Sequence, residues 1–159
     1  AHKGFDGLQL EIAEDGKSVT AIVIFEDKAT SNPRGKITQQ VWPDIVDLEA
    51  GGRVAELTSE TTAMLEAQQH AFPALDIDEA IESILWHEAR RYRVSVTVSD
   101  EHNGESNRKA LFAGFDTSAA GDLIKRRAET MHFDDLRGWM NDFAARVTQK
   151  VNELAAADV

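Results

Sequence analysis

Between Val19 and Phe25 the chain reads Val-Thr-Ala-Ile-Val-Ile-Phe, a nearly unbroken β-branched and aromatic run. Such a stretch is too short for a membrane span and suits a central strand buried on both faces. It follows Glu14-Asp15-Gly16-Lys17, and Asp-Gly favours a tight hairpin turn. Before the turn, Phe5, Leu8, Leu10 and Ile12 supply a partner strand. The run ends abruptly at Glu26-Asp27-Lys28. A strand buried on both faces needs further strands beside it and helices above it, and the rest of the chain must provide them.

The remaining pattern does so. Asn32-Pro33-Arg34-Gly35 reads as a loop, because proline and the residue before it both resist helix. Ile37, Val41, Ile45 and Leu48 recur at helical spacing, with Pro43 a kink or boundary. Further helices are expected over 54–70 and from the Asp76/Asp78 cap region to Arg90. Val94, Val96 and Val98 alternate with polar residues, the pattern of a half-exposed strand over 92–98. A polar loop at 100–107 precedes a short strand at 110–115, and two helices finish the chain at 119–130 and 134–156. The last carries Leu136, Trp139, Met140, Phe143, Val147, Val151 and Leu154 on one stripe, expected to be core, with a dimer or partner surface as the alternative. The expected fold is α/β (α+β): a mixed central sheet flanked by helices, with a helical C-terminal part. One domain spans 1–159, with a hairpin and following helix at 1–50, a helical insertion at 51–91, and a strand pair with C-terminal helices at 92–159.

Composition narrows the function. The chain has 159 residues, enough to bury a core without staples, and no cysteine, which removes disulfide scaffolds, zinc ribbons and thiol catalysis. No apolar run approaches a membrane span, no signal-peptide core opens the chain, and the expected location is cytoplasmic. The net charge of −11, from 17 Lys+Arg against 28 Asp+Glu, disfavours a nucleic-acid coat. It is compatible with an enzyme that holds metal through carboxylates, or with a subunit whose partner brings positive charge. The chain opens at Ala1 without an initiator methionine, so a processed product or an upstream segment is expected.

Asp6 opens the first hairpin strand, and Glu26 and Lys28 end the second. Alternation places 26 and 28 on one face and Asp27 on the other. Counting outward from the turn, Asp6 returns alongside Glu26. Two carboxylates and an ammonium then converge at one sheet end. Two hard oxygen ligands plus waters suit Mg²⁺ (or Mn²⁺) when a phosphate completes the octahedron, and the Asp27 backbone carbonyl is a further candidate ligand. A lysine beside the ion can orient the attacking water and offset phosphate charge. Asp15-Gly16-Lys17 has a similar pattern but belongs to the turn.

Gly4-Phe5-Asp6-Gly7, a hairpin, and Ile24-Phe25-Glu26-Asp27-Lys28 together resemble the PD-(D/E)XK, or restriction-endonuclease-like, nuclease superfamily. The resemblance covers about residues 4–45. It implies a restriction-endonuclease-like sheet, with Asp6 and Glu26 as metal ligands and Lys28 assisting phosphodiester hydrolysis. It also carries Gln40, on the following helix, into a supporting role. Bacterial restriction and phage-defence nucleases are the members it most resembles, with DNA as substrate.

Arg34 and Lys36 follow the site directly and are candidate phosphate-binding residues. Arg90, Arg91 and Arg93, Arg108 and Lys109, and Lys125-Arg126-Arg127 fit better as solvated or helix-end charges. His87-Glu88 lacks a second histidine, since Arg91 stands there, and Gly16-Lys17-Ser18 lacks its upstream glycine, replaced by Glu11. The five histidines are scattered, and only His2 falls near Asp6 in the chain. Three functions follow. The first is an Mg²⁺-dependent DNA nuclease domain, part of a larger protein or complex and able to self-associate through its C-terminal helices. The second is a non-catalytic nuclease-like assembly or protein-binding module. The third is an acidic interaction or immunity-type protein with a basic partner.

Overall fold

In a computed structural model, which describes residues 5–85, 87–102 and 104–157, the β-branched run forms the inner part of strand β2, Val19–Lys28. It pairs antiparallel with β1, Gly7–Ile12, through a turn closed by Ala13 and Ser18. Gly16 takes φ 70° there, a conformation that only glycine enters without strain. Gly7 faces Phe25 across the ladder, so Asp6 falls opposite Glu26. On its other edge β2 pairs in parallel with β3, Arg90–Val98, and β3 pairs in parallel with β4, Arg126–His132. The sheet is therefore mixed, in the order β1-β2-β3-β4.

The crossover from β2 to β3 is helical. Asn32 accepts a hydrogen bond from the Gly35 amide at 3.0 Å and so caps α1, Pro33–Lys36. The loop expected there is thus a helix start, with Pro33 in the first turn where its missing N–H costs nothing. One wide π turn, Ile37–Val41, joins α1 to α2, Trp42–Glu49. In it the Trp42 amide bonds Ile37 five residues back. The wide turn accommodates Pro43, which has no N–H to donate four residues back. Helices α3, Val54–Gln68, and α4, Ile77–Leu85, complete the crossover, with Asp76 capping α4 through the Glu79 amide.

One face of the sheet carries Ile22, Ile24 and Glu26 of β2 beside Tyr92, Val94 and Val96 of β3, all buried. Ile37, Val41, Ile45 and Leu48 pack with them in the same core. Further expectations are corrected. Strand β2 is fully buried on one face only, since Val23 and Phe25 on the other are half-buried and Thr20 is exposed. Residues 92–98 are not half exposed: β3 lies between two strands, and Ser95 and Thr97 are buried too. The Thr97 hydroxyl is satisfied by the backbone of Thr30, accepting from its amide at 2.8 Å and donating to its carbonyl at 2.9 Å. Residues 105–111 form α5 and 115–118 form α6, where a loop and a strand were expected. Leu111, which ends α5, and Phe115, which opens α6, are buried on either side of a turn where Gly114 takes φ 91°, and Phe115 stacks on Trp42 at 4.8 Å. Residues 126–132 form β4 where a helix was expected, because pairing with β3 outweighs local preference. Finally, α7, Leu136–Ala157, turns its apolar stripe outward rather than into the core. No described helix is long and apolar enough to cross a membrane.

Candidate functional site

Glu26 continues the face that Ile22 and Ile24 begin, so the strand's period carries a carboxylate into the core: it is only 5% exposed. Two residues on, Lys28 emerges from the same face and donates to Glu26 Oε2 at 2.9 Å. The Lys28 ammonium also donates to Asp6 Oδ2 in a short ion pair. Asp6 is oriented further by the Asp27 amide, which donates to the same Oδ2 at 2.9 Å. The hairpin thus gathers Asp6, Glu26 and Lys28 around one point. The Asp27 side chain lies exposed, as alternation requires, and Asp27 joins the group through its backbone.

Burial holds the Glu26 carboxyl above its usual pKa, and the Lys28 hydrogen bond and charge oppose this without cancelling it. Asp6 and Asp44 push it the same way as burial. Burial alone would lower the Lys28 pKa, yet its hydrogen bonds to Asp6 and Glu26 outweigh that and hold it above the usual value. The two shifts have different sources, burial for Glu26 and carboxylate hydrogen bonds against burial for Lys28, in a group of two carboxylates and one ammonium. A cluster of that kind attracts further positive charge. The donor set, carboxylate oxygens only, fits a hard divalent cation.

Two neighbours of the site were not legible in the sequence. Asp44, near the start of α2, is felt electrostatically by Glu26. Arg53, just before α3, lies over the Phe5 ring at 4.1 Å, bonds Glu56 at 2.7 Å and feels the charge of Asp44 and Glu26. Neither sits at a recognisable spacing from Glu26, and only helix packing brings them near. The one available signal for Asp44 is its place as an acid on the helix that follows the site.

The other expected residues are less central. Gln40 is exposed in the π turn, and among the described residues no hydrogen bond links it to Asp6, Glu26 or Lys28. Arg34 donates from Nη1 to the carbonyls of Leu111 and Ala113, at 2.8 and 2.9 Å, and so ties α1 to the end of α5. Lys36 is exposed at the end of α1. His2 lies outside the described residues.

A second group lies at the far edge of the sheet. Among the described residues, Asp100, His132 and Asp134 have ligand atoms within 4.8 Å of one another, and all three are exposed. His132 Nε2 meets Asp100 at 2.9 Å, while Nδ1 faces Asp134 at 3.8 Å. The carboxylates therefore flank opposite ring nitrogens, an arrangement that bridges the β3 and β4 ends through the imidazole. Beside it a cleft of about 510 Å³ opens beyond β2 and β3, lined by Thr30, Ser31, Thr97, Ser99, Asp134 and Arg137 among others. In comparisons with family models, curated proteins and solved structures, nothing matches this chain.

Proposed function

We propose that the chain is a divalent-metal-dependent nuclease domain of restriction-endonuclease-like type that hydrolyses phosphodiester bonds in DNA. One observation carries this proposal: Asp6, Glu26 and Lys28 meet at the outer end of the β1–β2 hairpin with negative charge in excess. Asp6 and Glu26 would hold Mg²⁺ or Mn²⁺, with the Asp27 carbonyl as a further ligand. The bound ion would supply Lewis-acid polarisation of the phosphate and a water of lowered pKa. Lys28 then has two tasks. Its ammonium orients the attacking water by hydrogen bonding, and it offsets the charge that grows on the phosphate oxygens. The water oxygen forms the new bond to phosphorus as the P–O ester bond breaks, the water's proton passes to solvent, and the departing oxygen takes up a proton from solvent. Lys36, exposed at the end of α1, would meet a neighbouring phosphate. Such a domain would work in the cytoplasm as part of a larger protein or complex, in restriction or phage defence.

A non-catalytic assembly module is the second reading, and it too has an observation behind it. Lys28 already satisfies both carboxylates, so the triad is a closed ion cluster that can hold the hairpin end without metal. The experiment that decides is plasmid cleavage in Mg²⁺ and in Mn²⁺, paired with calorimetric titration of Mn²⁺ alone. The nuclease proposal expects cleavage by the wild type, loss of cleavage in Lys28→Ala with the circular dichroism spectrum retained, and loss of Mn²⁺ binding in Glu26→Gln. Absence of both cleavage and Mn²⁺ binding in the folded wild type overturns it in favour of the module. Cleavage by Lys28→Ala at the wild-type rate removes the role given to the lysine.

A further inference from the structure

Helix α7 has 22 residues and is about 33 Å long. Its start is anchored: the Gly138 amide donates to Asp135 at 2.9 Å, and Trp139 packs on Phe133 at 5.0 Å. From Trp139 to Ala156 every residue is exposed. Trp139, Met140, Phe143, Val147, Val151 and Leu154 are each between 46% and 58% exposed, although they occupy a single arc of about 120°. A helix of this length is marginal alone in water, and its stability comes from burying such a stripe. Among the described residues nothing covers it.

Three features identify the occupant. The first is area. Six large side chains half exposed leave on the order of 600 Å² of apolar surface, so two such stripes together bury about 1,200 Å², the lower limit for a specific, stable interface. The second is charge. Asp142, Arg146 and Glu153 flank the stripe and Lys150 lies just inside its edge, so the seam holds two charges of each sign, on a chain whose net charge is −11. A neutral seam is where two copies of an acidic chain can meet without repulsion, whereas a basic partner would be drawn to the acidic remainder. The third is the far side of the helix, Asn141, Ala145, Thr148, Gln149 and Asn152, which lacks the lysines and arginines of a membrane-surface helix.

We propose that the protein forms a homodimer through α7, stripe against stripe about a twofold axis. This assignment is independent of the nuclease function. Sedimentation equilibrium of the full chain between about 1 and about 100 µM tests it, since a stripe of this size supports association in that range. The expected mass is twice that of the chain. Phe143→Asp and Leu154→Asp should each weaken association at least tenfold by placing a charge in the seam. Gln149→Asp, on the opposite side, should leave the dimer intact. Leu154 lies far along the helix from the sheet, so its substitution spares the folded body, which circular dichroism verifies. A single-chain mass at the highest concentration overturns the proposal, whether or not the chain then binds anionic phosphatidylserine vesicles. So does wild-type association in both stripe variants, or equal loss of the dimer in Gln149→Asp.

Discussion

Glu26 and Glu129 differ in the face of the sheet on which the strand period places them. Glu26 shares its face with Ile22 and Ile24, and burial raises its pKa. Glu129 lies on the opposite, open face, where Arg93 donates to it at 2.7 Å and Arg127 also pairs with it. The Arg93 hydrogen bond, aided by the charges of both arginines, lowers the Glu129 pKa below its ordinary 4.5. The sign for stability follows. A carboxyl with a depressed folded-state pKa contributes stability above its unfolded value, and that contribution disappears as pH falls through the folded value. Glu129→Gln should therefore lower stability at neutral pH and flatten the decline in acid below pH 4.5, measured by urea denaturation across pH. An unchanged acid limb would show that the arginine clasp contributes nothing to folding.

Among the elements, α1 is the most instructive, because its two basic residues have separable roles. Arg34 ties α1 to the carbonyls that end α5, whereas Lys36 faces solvent. Arg34→Ala should cost about 1–3 kcal/mol, since two carbonyls lose a charged donor. Thermal denaturation measures that loss. Lys36→Ala should leave the melting temperature unchanged and weaken DNA binding, read by fluorescence anisotropy. The hairpin is legible in the sequence, because Asp15-Gly16 sets the turn and a period of two then carries Asp6 to Glu26. Strand β4 was not. Its residues, Arg-Arg-Ala-Glu-Thr-Met-His, have no alternating apolar pattern, and only hydrogen bonding to β3 makes them a strand. Residues 110–115 failed for a related reason: a short apolar run suits strand and helix equally.

The molecule as a whole is acidic, and any DNA binding must work against that field. On the nuclease proposal Lys36 would be the main exposed contact, and few counterions would be released on binding. The dependence of log affinity on log salt should be shallow, with a slope no steeper than about −2 to −3, corresponding to two or three phosphates. Anisotropy titrations of the Lys28→Ala chain from low to moderate salt test this, and a slope near −6 would reveal further basic contacts besides Lys36. The charge around Glu26 follows the same global logic: Asp44 adds to it from α2 and Arg53, just before α3, feels it, at distances along the chain that no spacing rule encodes.

Turn chemistry and side-chain alternation depend on neighbours in the chain, so the amino-acid order was enough to place the hairpin, its central strand and the facing pair Asp6 and Glu26. It was also enough to mark α7 as amphipathic. Whether an apolar stripe is covered depends on which surfaces arrive from elsewhere, and that is why Ser95 and Thr97 proved buried while Trp139 and Phe143 proved exposed. Folding alone settled those burials and the company Glu26 keeps, because each depends on contacts between segments far apart in the chain.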